Sequence, residues 1–187
     1  HQLNPLVAAT DGDTIRVWNA ETGEEVGAFS DGDDKHWDVV AISPDGSYVA
    51  GAESMLGYEV TQRWALNVWN VETGELVSSQ LELEPILNLD FNPTRLYQLA
   101  VQTMSRVFVL SAEVTNPQIM AEIDTENTNV NIGLDFSTDG ERVAFAIEGG
   151  AAIWNAVTGD IEQEIIINAD LTPYVTDVAF SVDGAYL

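Results

Sequence analysis

Two histidines and no cysteine limit what this sequence could catalyse. A serine or cysteine nucleophile needs a neighbouring base, most often histidine. Only His1 and His36 could serve, His1 is terminal, and no Gly-x-Ser-x-Gly segment occurs. The lack of cysteine also removes disulfides, thiol chemistry and cysteine-ligated zinc. Carboxylates are abundant, 31 Asp plus Glu against 6 Lys plus Arg for a net charge of −25. Paired carboxylates can hydrolyse glycosides, but no spacing singles out a pair, and the sequence reads them as a solvated acidic surface. Asp11-Gly12-Asp13 and Asp31-Gly32-Asp33-Asp34 gather hard oxygen ligands of the kind calcium takes. Neither has the spaced Asp-x-Asp-x-Asp-Gly loop with its distal glutamate, and Asp-Gly is equally turn chemistry. Gly149-Gly150 reads as a turn between strands, not a phosphate-cradling loop. The expectation is no catalytic residue, no cofactor and no assigned metal.

The same charge balance narrows the partners. Lys35 is the only lysine, and Arg16, Arg63, Arg95, Arg106 and Arg142 are scattered. Binding to nucleic acid draws on clustered Lys and Arg to displace counterions, so nucleic acid is not expected, nor is an anionic membrane surface. The longest aliphatic run, Ile165-Ile166-Ile167, is far short of the roughly 20 residues that span a bilayer. No direct membrane insertion is expected. The chain starts at His1, so a removed leader would be invisible. The acidity favours an extracellular, periplasmic or high-salt setting over the cytoplasm. The length of 187 residues suits one domain, and 45% hydrophobic residues is a globular composition.

The elements that would hold these residues repeat. Trp18-Asn19-Ala20-Glu21-Thr22-Gly23 returns as Trp69-Asn70-Val71-Glu72-Thr73-Gly74 and as Trp154-Asn155-Ala156-Val157-Thr158-Gly159. A second motif reads Ile42-Ser43-Pro44-Asp45-Gly46, then Phe91-Asn92-Pro93-Thr94-Arg95, Phe136-Ser137-Thr138-Asp139-Gly140 and Phe180-Ser181-Val182-Asp183-Gly184, at spacings of 49, 45 and 44. In the third unit Phe108 takes the tryptophan place. Alternating apolar residues precede these turns, as in Leu87, Leu89 and Phe91 or Ile132, Leu134 and Phe136. Period two marks a half-buried strand. Asp-Gly then offers the positive-φ residues of a tight hairpin. Second strands follow at Tyr48 to Ala52, Leu96 to Val101 and Arg142 to Ile147, a third carries Ile15 to Trp18, and Glu-Thr-Gly turns into a fourth such as Glu25 to Phe29. Four short strands per unit define an all-β meander repeat with little helix.

The pairing of Ser-Pro-Asp-Gly with Trp-Asn-x-x-Thr-Gly resembles the WD-repeat β-propeller family in its bacterial form, over nearly the whole chain. The resemblance implies an all-β propeller of four-stranded antiparallel blades. About four repeat units are present: a partial blade over 1–30, blades over 37–81, 86–123 and 130–167, and a partial blade over 174–187. It departs from the family pattern at three places. Asparagine follows each motif tryptophan, no Gly-His precedes the first strand, and the aspartate between second and third strands is matched only by Asp11, with Glu53 and Glu148 near its place. The side-chain tetrad of typical blades is therefore largely missing, and packing, including that of Trp18, Trp69 and Trp154, must rest on apolar burial. The chain begins and stops at a second strand. It is read as a window on a larger propeller, with a closed four-bladed ring as the alternative.

One insertion, Glu53 to Arg63, replaces a short turn in the second unit. The family resemblance places such loops on a rim commonly used for partners. That makes His36, Trp37, Met55, Leu56, Tyr58, Arg63 and Trp64 the candidate partner-binding residues, since aromatics, Met and Arg enrich interface cores. Tyr58 and Trp64 could equally extend the hairpin. The expected function is a non-catalytic scaffold or recognition module, taking protein partners, basic ones among them, with self-assembly also open. The alternatives are an extracellular structural module of an envelope or filament, and a propeller enzyme with a central-channel site.

Overall fold

The computed structural model describes residues 5–32, 35–53, 64–82, 84–111, 118–124, 132–167 and 175–187. Among the described residues fifteen strands form four antiparallel sheets, each a simple meander. The first sheet has three strands, β1 (Leu6–Thr10), β2 (Ile15–Asn19) and β3 (Glu25–Phe29). The second runs β4 (Val39–Ile42), β5 (Tyr48–Ala52), β6 (Trp64–Asn70) and β7 (Leu76–Glu82). The third runs β8 (Ile86–Phe91), β9 (Gln98–Thr103), β10 (Arg106–Ser111) and β11 (Gln118–Asp124). The fourth runs β12 (Leu134–Phe136), β13 (Arg142–Ile147), β14 (Gly150–Asn155) and β15 (Ile161–Ile166). No helix among the described residues is long and apolar enough to cross a membrane.

The two motifs close the hairpins with side chains as well as backbone. Ser137 Oγ donates to Asp139 Oδ1 and accepts from Arg142 N at 3.0 Å, while Asp139 Oδ1 accepts from Glu141 N at 3.0 Å. Ser43 with Asp45 and Ser181 with Asp183 repeat this arrangement. The aspartate is thus an acceptor, and only the glycine takes the left-handed backbone, Gly46, Gly140 and Gly184 having φ near 70°. Each motif asparagine plays a parallel part. Asn155 Oδ1 accepts from Val157 N and Thr158 N, both at 3.0 Å, as Asn19 Oδ1 does from Glu21 N and Thr22 N.

The third unit differs because Pro93-Thr94-Arg95 has no Asp-Gly. The left-handed residue needed to reverse the chain falls at Tyr97, with φ 71°, the one described non-glycine there. Leu96 and Tyr97 therefore belong to the turn, and the second strand starts at Gln98, not Leu96. Period-two burial also fails in the central strands. All but the last residue of β6 and all but the first of β9 are buried, as both faces of these strands are covered. Outer strands β3, β11 and β15 are mostly exposed, and Glu25, Glu122, Glu162 and Glu164 charge those free edges.

Two compact units divide the chain, His1–Leu89 with Ala112–Pro117, and Asp90–Ser111 with Gln118–Leu187. In the first, Ile15, Val17, Phe29, Trp37, Val49, Ala65, Trp69 and Val71 form one core. Trp37 meets Trp69 edge to face at 5.1 Å. Gly51 is required there, because a Cβ at that position would fall on Ile15 Cδ1. In the second, Val107, Val109, Leu134, Phe136, Val143, Phe145 and Trp154 carry the core. Phe108, in the tryptophan place of its unit, is fully buried under Arg106, whose guanidinium lies 4.8 Å from the ring centre.

Candidate functional site

The first unit carries the described members of the candidate set, His36, Trp37 and Trp64. Thr10 Oγ1 donates to Trp37 O at 2.8 Å, and Trp37 N donates to Gly12 O at 2.6 Å, fixing the segment before β4 against the β1–β2 turn. Gly12 lacks the Cβ that would strike His36 Cε1, so the imidazole lies on that turn. His36 Nε2 is 3.4 Å from Asp38 Oδ1, and Nδ1 is 3.9 Å from Asp13 Oδ1. Glu53 organises the other side. Its Oε2 accepts from Ala65 N at 2.7 Å and pairs with Lys35 Nζ at 3.4 Å. It performs the anchoring expected of an aspartate between second and third strands, one methylene longer. Asp13, Thr14, Ser30, Gly32 and Lys35 line an open cleft of about 230 Å³ beside it.

The three described rim candidates differ in exposure. His36 is partly exposed, whereas Trp37 is fully buried in the core and Trp64 is 9% exposed. Alternation explains the split: the two neighbours face opposite ways, His36 outward and Trp37 onto Trp69. Met55, Leu56, Tyr58 and Arg63 lie outside the described residues. At the calcium candidates, Asp11 Oδ1 is engaged by Asp13 N and Thr14 N, and Asp31 Oδ2 by Asn67 Nδ2 at 3.0 Å. The turn bond to Thr14 is the main reason the Asp11 carboxyl is held below its ordinary range. Asp33 and Asp34 lie outside the described residues, and among those described no group of three His, Cys, Asp or Glu is placed to hold a metal.

The second unit holds a carboxyl arrangement that no spacing argument singled out. Asp90 on β8 and Asp135 on β12 each precede the phenylalanine that ends a first strand. Asp90 Oδ2 accepts from Phe136 N at 2.7 Å, and Asp135 Oδ2 accepts from Phe180 N at 2.6 Å. Each aspartate thus ties its strand to the equivalent place one repeat later. Burial pushes the Asp90 carboxyl up to about 7, with the Asp135 charge adding to the rise against the bond from Phe136. Burial raises Asp135 too, with Asp177 as the like charge beside it. The repeated Asp-Phe dipeptide was the available signal. Nothing in the sequence said that the aspartate faces a neighbouring strand instead of water.

The turns reinforce these ties. Asn92 Nδ2 donates to Gly140 O at 2.8 Å, Thr94 Oγ1 to Asp139 O at 3.0 Å, and Arg95 Nη1 to Gly140 O at 3.2 Å. One repeat on, Arg142 lies 5.4 Å from the Phe180 ring centre. By contrast, the Trp154 indole N–H is buried without a partner, as is that of Trp37. In this unit hydrogen bonds between repeats add to the shared apolar core, and the Trp154 indole N–H takes part in none of them.

Four-stranded antiparallel meanders repeating in this way are the blades of a β-propeller, and the chain has that fold. It is similar to the Cps50 (Swd1) β-propeller domain of Myceliophteria thermophila, with a TM-score of 0.72 and 15% sequence identity over 97% of this chain. This chain covers 57% of that domain's length. No protein-family model matches the sequence, and no curated protein does.

Proposed function

We propose that this chain is a non-catalytic, WD-like propeller module of bacterial type that binds other proteins, its acidity selecting basic partners. The observation that carries the reading is a propeller fold bearing a net charge of −25, with an open cleft lined by Asp13 and Lys35 and with His36 set between Asp13 and Asp38. Such a field steers cationic surfaces toward it and suppresses acidic ones. Asp13, its side chain 92% exposed, is free of the cost of desolvation until a partner arrives. The inserted loop adds Met55, Leu56 and Tyr58 as apolar anchors of the kind that carry interface energy, with Arg63 as their polar neighbour.

Affinity capture from the source cells, compared between the unaltered chain and a variant carrying Asp13→Asn, Met55→Ser and Tyr58→Ser, tests this. A captured protein that is basic, leaves as salt rises, and is lost with the variant supports the rim. Equal capture by both forms would exclude it.

A further inference from the structure

The acid pair of the second unit is not among the proposed rim residues, and its geometry asks for a proton. We propose that Asp90 and Asp135 share one proton and form a pH-sensitive latch between successive first strands, closed from acid to neutral pH and weakened in alkali.

Each carboxyl already spends one oxygen on the backbone N–H of the following repeat, Asp90 on Phe136 and Asp135 on Phe180. What remains is a direct side-chain contact between the two carboxyls. Ionised together in a poorly solvated place they repel, whereas one proton turns the contact into a hydrogen bond. The environment offers the pair no relief. Asp177 is a third carboxylate, and its Oδ1 is turned to Val178 N at 2.9 Å. Arg95 and Arg142 pair at the turns, with Glu141 at 3.7 Å and Asp139 at 4.0 Å. Backbone packs closely beside Asp135. Gly133, one residue before β12, lies so close that a Cβ would stand 3.0 Å from Val178 N. Asp90 is the proton's place, because burial pushes its carboxyl up, to about 7, while Asp135 keeps its charge for Phe180 N.

The sign follows from linkage. A carboxyl whose native value lies above its unfolded one contributes fully below the unfolded value near 4, and that contribution is lost as pH rises through about 7. Two measurements on the whole chain test the latch. In the infrared, the unaltered protein should show a protonated-carboxyl C=O band that disappears with a midpoint near 7, and Asp90→Asn should lack it. In thermal unfolding, Asp90→Asn should flatten the fall in Tm between about pH 4 and 7, the interval between the unfolded and native values. The amide can donate to Asp135 and still accept from Phe136 N, so the variant should exceed the unaltered protein at the alkaline end. If the variant does not fold, the infrared band of the unaltered protein decides. No titrating band near neutrality, or Tm–pH curves that run parallel, would overturn the proposal.

Discussion

Ser137 shows how much one hydroxyl does in these hairpins. It is fully buried, donates to Asp139 and accepts from Arg142 N, so its removal leaves a backbone N–H and a carboxylate under-satisfied. Losing a buried hydrogen-bonding group typically costs about 1–3 kcal/mol. Ser137→Ala should lower the urea midpoint accordingly, and Ser181→Ala, whose turn is solvent-exposed, should lower it less. The two reporting equal losses would mean that burial is not what gives the bond its value. The turn aspartates also set an acid limb. The bond from Ser137 comes first in holding Asp139 below its ordinary range, and that from Ser181 does the same for Asp183. For Asp45, the bonds from Ser43 and Ser47 together outweigh burial, its largest single influence. Depressed carboxyls stabilise above their unfolded value and lose that contribution as pH falls through the native one. Residue roles of this kind were partly legible. The Ser-x-Asp-Gly spacing announced a turn, but not that aspartate would be the acceptor while glycine alone went left-handed.

Strands were legible where their own residues decide them and obscure where neighbours do. Alternation in β8 and β12 and the turn motifs placed the sheets, because period and turn chemistry are local. The start of β9 was not, since only the fold reveals that Tyr97 supplies the left-handed residue missing from Pro93-Thr94-Arg95. Trp37 stood out as a rim aromatic for the same reason that it is buried: it is a large ring at a strand entrance, and which face it takes depends on Trp69 thirty-two residues later. Close approach between strands is equally silent in sequence. Gly133 is not in the left-handed region, so Gly133→Ala tests packing alone. The added methyl meets the backbone of Val178 and Asp177, which cannot turn aside as a side chain could. Overpacking of this kind costs about 1–3 kcal/mol. Gly23→Ala, where nothing stands within 4 Å but φ is 72°, should instead lose the smaller left-handed penalty of about 1–2 kcal/mol. Denaturant midpoints of the two variants measure both, and a neutral Gly133→Ala would show that the two segments can part.

At the scale of the whole molecule the dominant fact is 31 acidic groups against 6 Lys and Arg. Among the described residues the ion pairs are on or near the surface, such as Arg16 with Glu25 at 3.2 Å and Arg106 with Glu122 at 2.7 Å. Exposed pairs contribute about 0–1 kcal/mol each. They cannot offset the self-repulsion of a compact body at −25, which opposes folding wherever salt does not screen it. The Debye length shrinks from about 30 Å at 0.01 M salt to about 3 Å at 1 M. At the first value every carboxylate feels its neighbours several strands away; at the second it feels scarcely the next one. Added salt weakens the few pairs and the many repulsions together, and the repulsions are far more numerous. Tm should therefore rise across that range of sodium chloride at neutral pH, measured by circular dichroism. The rise should be smaller near pH 5, where part of the charge is neutralised and Asp90 is protonated. A flat or falling Tm would mean that the surface carboxylates are already neutralised in the folded protein by bound cations, and would return attention to the aspartates around Asp13 and Asp31.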